Sequence, residues 1–245
     1  MQVTELWRHP IKSFGRERIA SVDLVAGESM PWDRVWAVAH EASKAEPGQW
    51  ASCHSFTRIA QTPALMAVTA TLDEATETVT LRHPDRPDLT VHPDTNGSDI
   101  VAWTNALMPE NRVMPSHIMR LDGRGYTDSD FASVTLCNHA SHRAVETQMQ
   151  HALSLHRWRG NIWFDSDTPW IEFDWMHRDI KIGNAILRPR ERTDRCVATT
   201  SNPETGRRDA DVLAALDSFG HQDFSVRCDV IQGGRIQADD KVTPL

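Results

Sequence analysis

Ile180-Lys181-Ile182-Gly183-Asn184-Ala185-Ile186-Leu187-Arg188 reads as two short strands joined by a two-residue turn. Gly-Asn between apolar, β-branched runs is a hairpin signal, because the turn needs a residue that accepts positive φ. Val226 to Ile231, then Gly233-Gly234 and Arg235-Ile236, suggest a second hairpin, and Asn161-Ile162-Trp163-Phe164 an apolar strand. Toward the N-terminus, Val3 to Trp7 and Ile19 to Leu24 alternate at period two, and Val35 to Ala39 is a short apolar run. Leu65 to Leu72 also alternates, and Thr78 to Arg82 can pair with it across Asp73-Glu74-Ala75-Thr76. Helices are few. Asn138 can cap one that carries Val145, Met149, Ala152 and Leu153 on one face, and Asp211 to Ser218 forms another that ends near Gly220. The pattern predicts a mainly β chain with a few helices, an α+β fold rich in β-barrel.

Pro84, Pro87 and Pro93 lead into the polar run Asp94-Thr95-Asn96-Gly97-Ser98-Asp99, which reads as a loop. We place a boundary there, giving units 1–95 and 96–245. Its glycine comes too early for an EF-hand. His139 and His142, three apart on the first helix, lack HExxH spacing and read as a solvated face.

The chain has 245 residues, with 26 Lys and Arg against 34 Asp and Glu, a net charge of −8. That balance excludes a general nucleic-acid binder. No stretch approaches the ~18 apolar residues of a membrane span, so no membrane partner is expected. The N-terminus has no basic region followed by an apolar run, and a cytoplasmic protein with reduced thiols is expected. Cys53, Cys137, Cys196 and Cys228 are too far apart for a zinc knuckle, an iron–sulfur loop or a CxxC redox pair.

Cys196 follows Arg195 at the end of a charged segment and precedes the small Val197-Ala198-Thr199-Thr200. A neighbouring guanidinium favours thiolate, the form that ligates soft metals, although a small buried hydrophobe is the commoner role of a cysteine. The other three read as structural. Lys12-Ser13, Arg34 and Arg159-Gly160-Asn161 have the chemistry to bind phosphate and polar heterocycles if they converge; separately they are surface charges. No G-x-S-x-G elbow, Walker A loop or G-x-G-x-x-G is present.

Taken in order, several stretches resemble one family. Trp7-Arg8-His9-Pro10-Ile11-Lys12-Ser13 resembles the Y-P-V-K-S start of the MOSC N-terminal β-barrel, and Asp33-Arg34-Val35-Trp36 its D-R-x-W. Arg157-Trp158-Arg159-Gly160-Asn161-Ile162 resembles the F-R-P-N strand of the MOSC domain. Pro169 to Trp175 with Ile180 to Gly183 resembles F-x-E-D-x-W … I-x-I-G. Arg195 to Gly206 closely follows R-C-x-x-T-T-x-D-P-x-T-G. The MOSC domain is the C-terminal domain of molybdenum cofactor sulfurases. With this N-terminal barrel the chain is most similar to the amidoxime-reducing component and bacterial N-hydroxy-compound reductases.

The resemblance implies a MOSC β-barrel with a smaller N-terminal β-barrel subdomain, holding a molybdenum cofactor (Mo-molybdopterin) between them. Cys196 is then the metal ligand and catalytic residue, and Lys12, Ser13, Arg34, Asp130, Arg159, Asn161 and Arg195 bind the cofactor. The implied activity is an oxidoreductase that reduces small N-hydroxylated or N-oxide substrates. No pyridoxal-phosphate domain and no iron–sulfur motif is present, so a separate electron-donor protein is expected. A non-catalytic carrier or insertion module for the cofactor or for sulfur is the alternative, and an empty barrel with a structural role is a third reading. Thr193 stands for the first cysteine of C-x-R-C. Gly160 stands for a proline and is expected to loosen its strand. Arg227 replaces a common tyrosine, which bears on the substrate, and Asp239-Asp240 replaces Gly-Asp.

Overall fold

In the computed structural model, which describes residues 1–245, the hairpin forms as read: Ile180 faces Leu187, Lys181 faces Ile186 and Ile182 faces Ala185. Gly183 takes φ +54°, and a Cβ there would stand 2.6 Å from Arg235 O. Only glycine fits that turn at low cost.

The hairpin belongs to an eight-stranded sheet. Its order is Val242–Pro244, Ile180–Ile182, Ala185–Asp194, Asp223–Gln232, Val134–Asn138, Ile162–Asp165, Gln2–Arg8, Glu17–Ile19. Neighbours are antiparallel except Val134–Asn138 with Ile162–Asp165. A parallel pair needs a crossover, and helix His139–Met149 supplies it, capped by Asn138, whose side chain accepts from Ala140 N. The sheet curls into a half-barrel, and its ends approach. Val3 N donates to Asp240 O at 2.9 Å, and Asp239 N to Val3 O at 2.8 Å. Leu6, Leu136, Ile162, Leu187 and Val226 fill the inside.

Smaller antiparallel sheets complete the fold. Thr69–Asp73, Thr78–His83 and Arg86–Val91 form one, and Trp36–His40 pairs with Pro115–Arg120. They enclose a second core around Phe14, Trp36, Leu65, Leu81 and Trp103.

Several expectations are corrected. The second hairpin does not form: Asp223–Gln232 stays in the large sheet, while Gly234–Gln237 pairs with Ser21–Leu24. A Cβ on Gly233 would lie 2.6 Å from Leu24 O, and one on Gly234 2.5 Å from Asn184 O. The two glycines pass the chain between sheets instead of reversing it. Leu65 to Leu72 is not one strand, because Pro63 opens a 3₁₀ turn over Pro63–Ala67. Ile19 to Leu24 breaks at Ala20 into the ends of two strands. The polar loop after Pro93 runs into a helix, Gly97–Asn105, which buries Ile100, Trp103 and Thr104. The capped helix stops at Met149, since Gln150 is left-handed, so Ala152 and Leu153 lie beyond it. Its histidine face is not solvated. His142 is buried, and its Nδ1 accepts from Trp158 Nε1 at 2.9 Å.

No helix is long and apolar enough to cross a membrane.

Candidate functional site

The first strand brings distant segments together. Trp7 N donates to Asn161 O at 2.8 Å, and Asn161 Nδ2 donates to Trp7 O at 3.2 Å. Past Arg8 the chain turns along the Trp36 strand. Arg34 N donates to His9 O and Lys12 N to Trp36 O, both at 2.7 Å. Arg195 Nη2 reaches across to Trp158 O at 2.6 Å, and Arg34 Nη2 to Arg159 O at 3.0 Å. The result is one cavity of about 400 Å³, lined by Lys12, Ser13, Arg34, Arg159, Asn161, Arg195 and Cys196.

Three of these residues hold the backbone in the left-handed region without being glycine: Ser13 (φ 67°), Arg34 (φ 57°) and Arg159 (φ 50°). Such conformations cost of order 1–3 kcal/mol each and persist where surrounding contacts fix them, often at functional sites. All three open segments that carry the predicted polar clusters.

The electrostatics are one-sided. Lys12, Arg34, Arg58, Arg157, Arg159, Arg195 and Arg227 line the cavity against Asp128 and Asp194. Lys12 pairs with Asp128, Arg34 with Asp33, Arg157 with Asp209, and Arg227 with Glu191. Arg58, Arg159 and Arg195 have no carboxylate partner. Burial and the adjacent Arg34 charge push Arg159 down to about 9. Burial also lowers Arg195, opposed by Cys196 and Cys137. Burial would raise the Asp128 carboxyl, yet Lys12, Arg34 and Arg227 hold it well below the usual carboxylate range. Arg157 Nε, Arg159 Nη2 and Arg195 Nε are buried N–H groups without a protein acceptor. Buried donors are normally paired, which makes these three exceptions.

Behind Arg34 stands a buried network. One Asp33 oxygen accepts from His9 N at 2.8 Å and from His9 Nδ1 at 3.1 Å, and the other takes Arg34 Nη1. Burial and the Arg159 charge push His9 down to about 3.

Cys196 carries a free, exposed thiol on the cavity wall. Its carbonyl accepts from Thr199 N at 3.1 Å and Thr199 Oγ1 at 3.0 Å, fixing the turn that follows. Cys137 and Cys228 are buried, and burial pushes Cys137 up to about 12 and Cys228 well above the ordinary thiol value. Cys53 is a departure from expectation: it lines the same cavity and accepts from Arg58 Nη1 at 3.2 Å.

Asp130 is not brought into the site. Between the two aspartates, Ser129 donates its hydroxyl to Phe131 O (2.8 Å) and Ser133 (2.7 Å). Asp128 lines the cavity and Asp130 faces solvent. Asn161 lines the cavity but spends its side chain on structure, since Oδ1 accepts from Thr135 N (3.1 Å) and Thr135 Oγ1 (2.8 Å). Gly160 does not loosen its strand. A Cβ there would fall 2.1 Å from Cys137 Sγ, so the cysteine occupies the space a larger residue would need.

The chain matches the model of the MOSC N-terminal beta barrel domain over residues 1–112 and that of the MOSC domain over residues 124–243. The chain belongs to the MOSC family. Among solved structures it is similar to the YUAD protein from Bacillus subtilis, at 10% identity and TM-score 0.47, over 98% of this chain and 93% of that one. It is also similar to YiiM from Geobacillus stearothermophilus, at 13% identity and TM-score 0.37, over 46% of this chain and 53% of that one. No curated protein matches. Family membership gives this MOSC chain a general role linked to the molybdenum cofactor.

Proposed function

We propose that this MOSC protein is a molybdenum-cofactor oxidoreductase that reduces small N-hydroxylated or N-oxide compounds, with Cys196 as the protein ligand to the metal. One observation carries the reading: the free Cys196 thiol lies on the wall of a cavity where cations outnumber carboxylates and where Arg159 and Arg195 have no carboxylate partner. A phosphorylated, dithiolene-bearing pyranopterin has that complementarity, with oxyanions for the arginines and a soft metal for the thiolate. When bound, such a cofactor supplies two-electron, oxygen-transfer chemistry.

The chain's own residues bind and orient. Arg159 and Arg195, without carboxylates of their own, would hold the phosphate and pterin oxygens, and Lys12 and Arg34 add charge to the same cavity. Asp33 keeps Arg34 directed and His9 keeps Asp33 ionised and in place. Thr199 fixes the Cys196 backbone, so that the thiol is presented without rearrangement. Asp128, kept ionised beside Lys12, is a carboxylate available to accept a hydrogen bond from a substrate. The cofactor would lie between units 1–95 and 96–245. Electrons would come from a separate donor protein, and the four free cysteines support a cytoplasmic setting.

The test is turnover. Protein expressed with molybdate should reduce benzamidoxime to benzamidine with reduced methyl viologen. Cofactor-loaded protein without turnover would overturn the enzyme reading and favour the carrier role.

A further inference from the structure

Arg58 is a cation that the cofactor reading does not use. It lines the cavity, no carboxylate pairs with it, and the one protein hydrogen bond of its guanidinium goes to the Cys53 thiol. An arginine beside a ligand cavity with its planar donors unmatched to any carboxylate is set to take an oxyanion, often with two parallel hydrogen bonds.

Its place in the cavity says which ligand it faces. Arg58 belongs to the segment that abuts the loop following Cys196. Arg208 Nη2 donates to Ala60 O at 2.8 Å, and Ser201 bridges to Arg208. Ala198, two residues past Cys196, packs on the core that contains Ile59. Arg159 already donates Nη1 to Gly15 O at 3.1 Å. These contacts set the Arg58 segment beside the loop that follows Cys196, on a wall built with Cys53 and His54 in the cavity that Cys196 also lines.

We propose that Arg58 forms a substrate subsite for an anionic group, so that the preferred substrates are N-hydroxylated or N-oxide compounds bearing a carboxylate. The proposal rests on the oxidoreductase reading for its reaction, but not for its binding step. A carboxylate there pairs with a guanidinium that no protein carboxylate has neutralised, inside walls that weaken competition from water. A second phosphate on an enlarged cofactor offers the same chemistry and is the source to be distinguished.

The experiment compares benzamidoxime with 4-carboxybenzamidoxime on wild type, Arg58→Gln and Arg58→Lys. In the wild type the carboxylated compound should have a kcat/KM higher by about tenfold, through KM, as expected of one charge-assisted hydrogen-bonded pair. Arg58→Gln should abolish that ratio and Arg58→Lys should restore part of it. Equal kcat/KM for the two compounds in the wild type, or an unchanged ratio in Arg58→Gln, would overturn the proposal. Loss of bound pterin from Arg58→Gln would also overturn it, by assigning Arg58 to the cofactor. Calorimetric titration of both compounds into wild type and Arg58→Gln gives the same comparison without turnover. A wild type that binds the carboxylated compound through Arg58 but lacks activity would sink the oxidoreductase reading and leave the subsite standing.

Discussion

Gly160 shows how a departure from a family pattern can be compensated one side chain away. The proline common at that position has no room here, because Cys137 Sγ fills the place of a Cβ at 2.1 Å. Gly160→Ala should therefore destabilise the protein by about 1–3 kcal/mol through overpacking. With Cys137→Ala the nearest remaining atom is Trp163 Nε1 at 3.5 Å, an ordinary contact, so the double variant should recover most of that loss. Urea unfolding of the four-member cycle measures it, and additive effects would contradict the account. Residues legible in the sequence at this scale were those inside ordered motifs: Lys12, Ser13, Arg34, Arg159, Asn161, Arg195 and Cys196 all reach the cavity. Asp130 did not; Asp128, two residues earlier, lines the cavity instead, and spacing does not distinguish the two. Cys53 and Arg58 lie in a stretch with little regular structure, and only tertiary packing brings them to Cys196.

At the scale of elements, the loop after Cys196 depends on its seat against the 3₁₀ turn Pro63–Ala67. Gly206 (φ +66°) would place a Cβ 2.7 Å from Ala64 Cα and 2.9 Å from Ala64 O, both backbone atoms that cannot swing aside. Arg16 ties the same seat by donating to Met66 O at 3.0 Å and Pro203 O at 3.1 Å. Gly206→Ala should lower stability by about 1–3 kcal/mol and shift the loop that carries Cys196, so that the purified variant retains less cofactor. Thermal melting and pterin fluorescence after gel filtration read both effects; full retention with an unchanged Tm would contradict the packing argument. Hairpin 180–188, the Asn138-capped helix and the pairing of Thr69–Asp73 with Thr78–His83 were legible because local chemistry alone specifies them. Gly233-Gly234 misled, since a chain passing between sheets and a chain reversing direction use the same residues. Helix Gly97–Asn105 was hidden behind its polar first turn, although Ile100, Trp103 and Leu107 keep helical spacing.

For the whole molecule, the network that aims Arg34 into the cavity carries a dependence on acid. His9 sits near 3 when folded, against ~6.5 unfolded, so the unfolded chain takes the proton first as pH falls. Stability should thus drop on acidification by about 1.4 kcal/mol per pH unit from this group alone, between ~6.5 and about 3. Asp33, whose folded value is depressed, adds a further loss below its unfolded value of ~3.9. Unfolding free energies at pH 7.5, 6 and 5 should fall in that order, with a flatter profile for His9→Gln; parallel profiles would contradict it. The net charge of −8 coexists with a cavity where seven cations face two carboxylates, a segregation that composition could not reveal. The proposal has Cys196 join that cavity to a metal, and the account stands or falls there. Molybdenum and pterin should be measured together on wild type and Cys196→Ala, both expressed with molybdate and purified as the full chain. The account predicts molybdenum close to one per chain in the wild type and its loss in Cys196→Ala; equal molybdenum in the two proteins would contradict it.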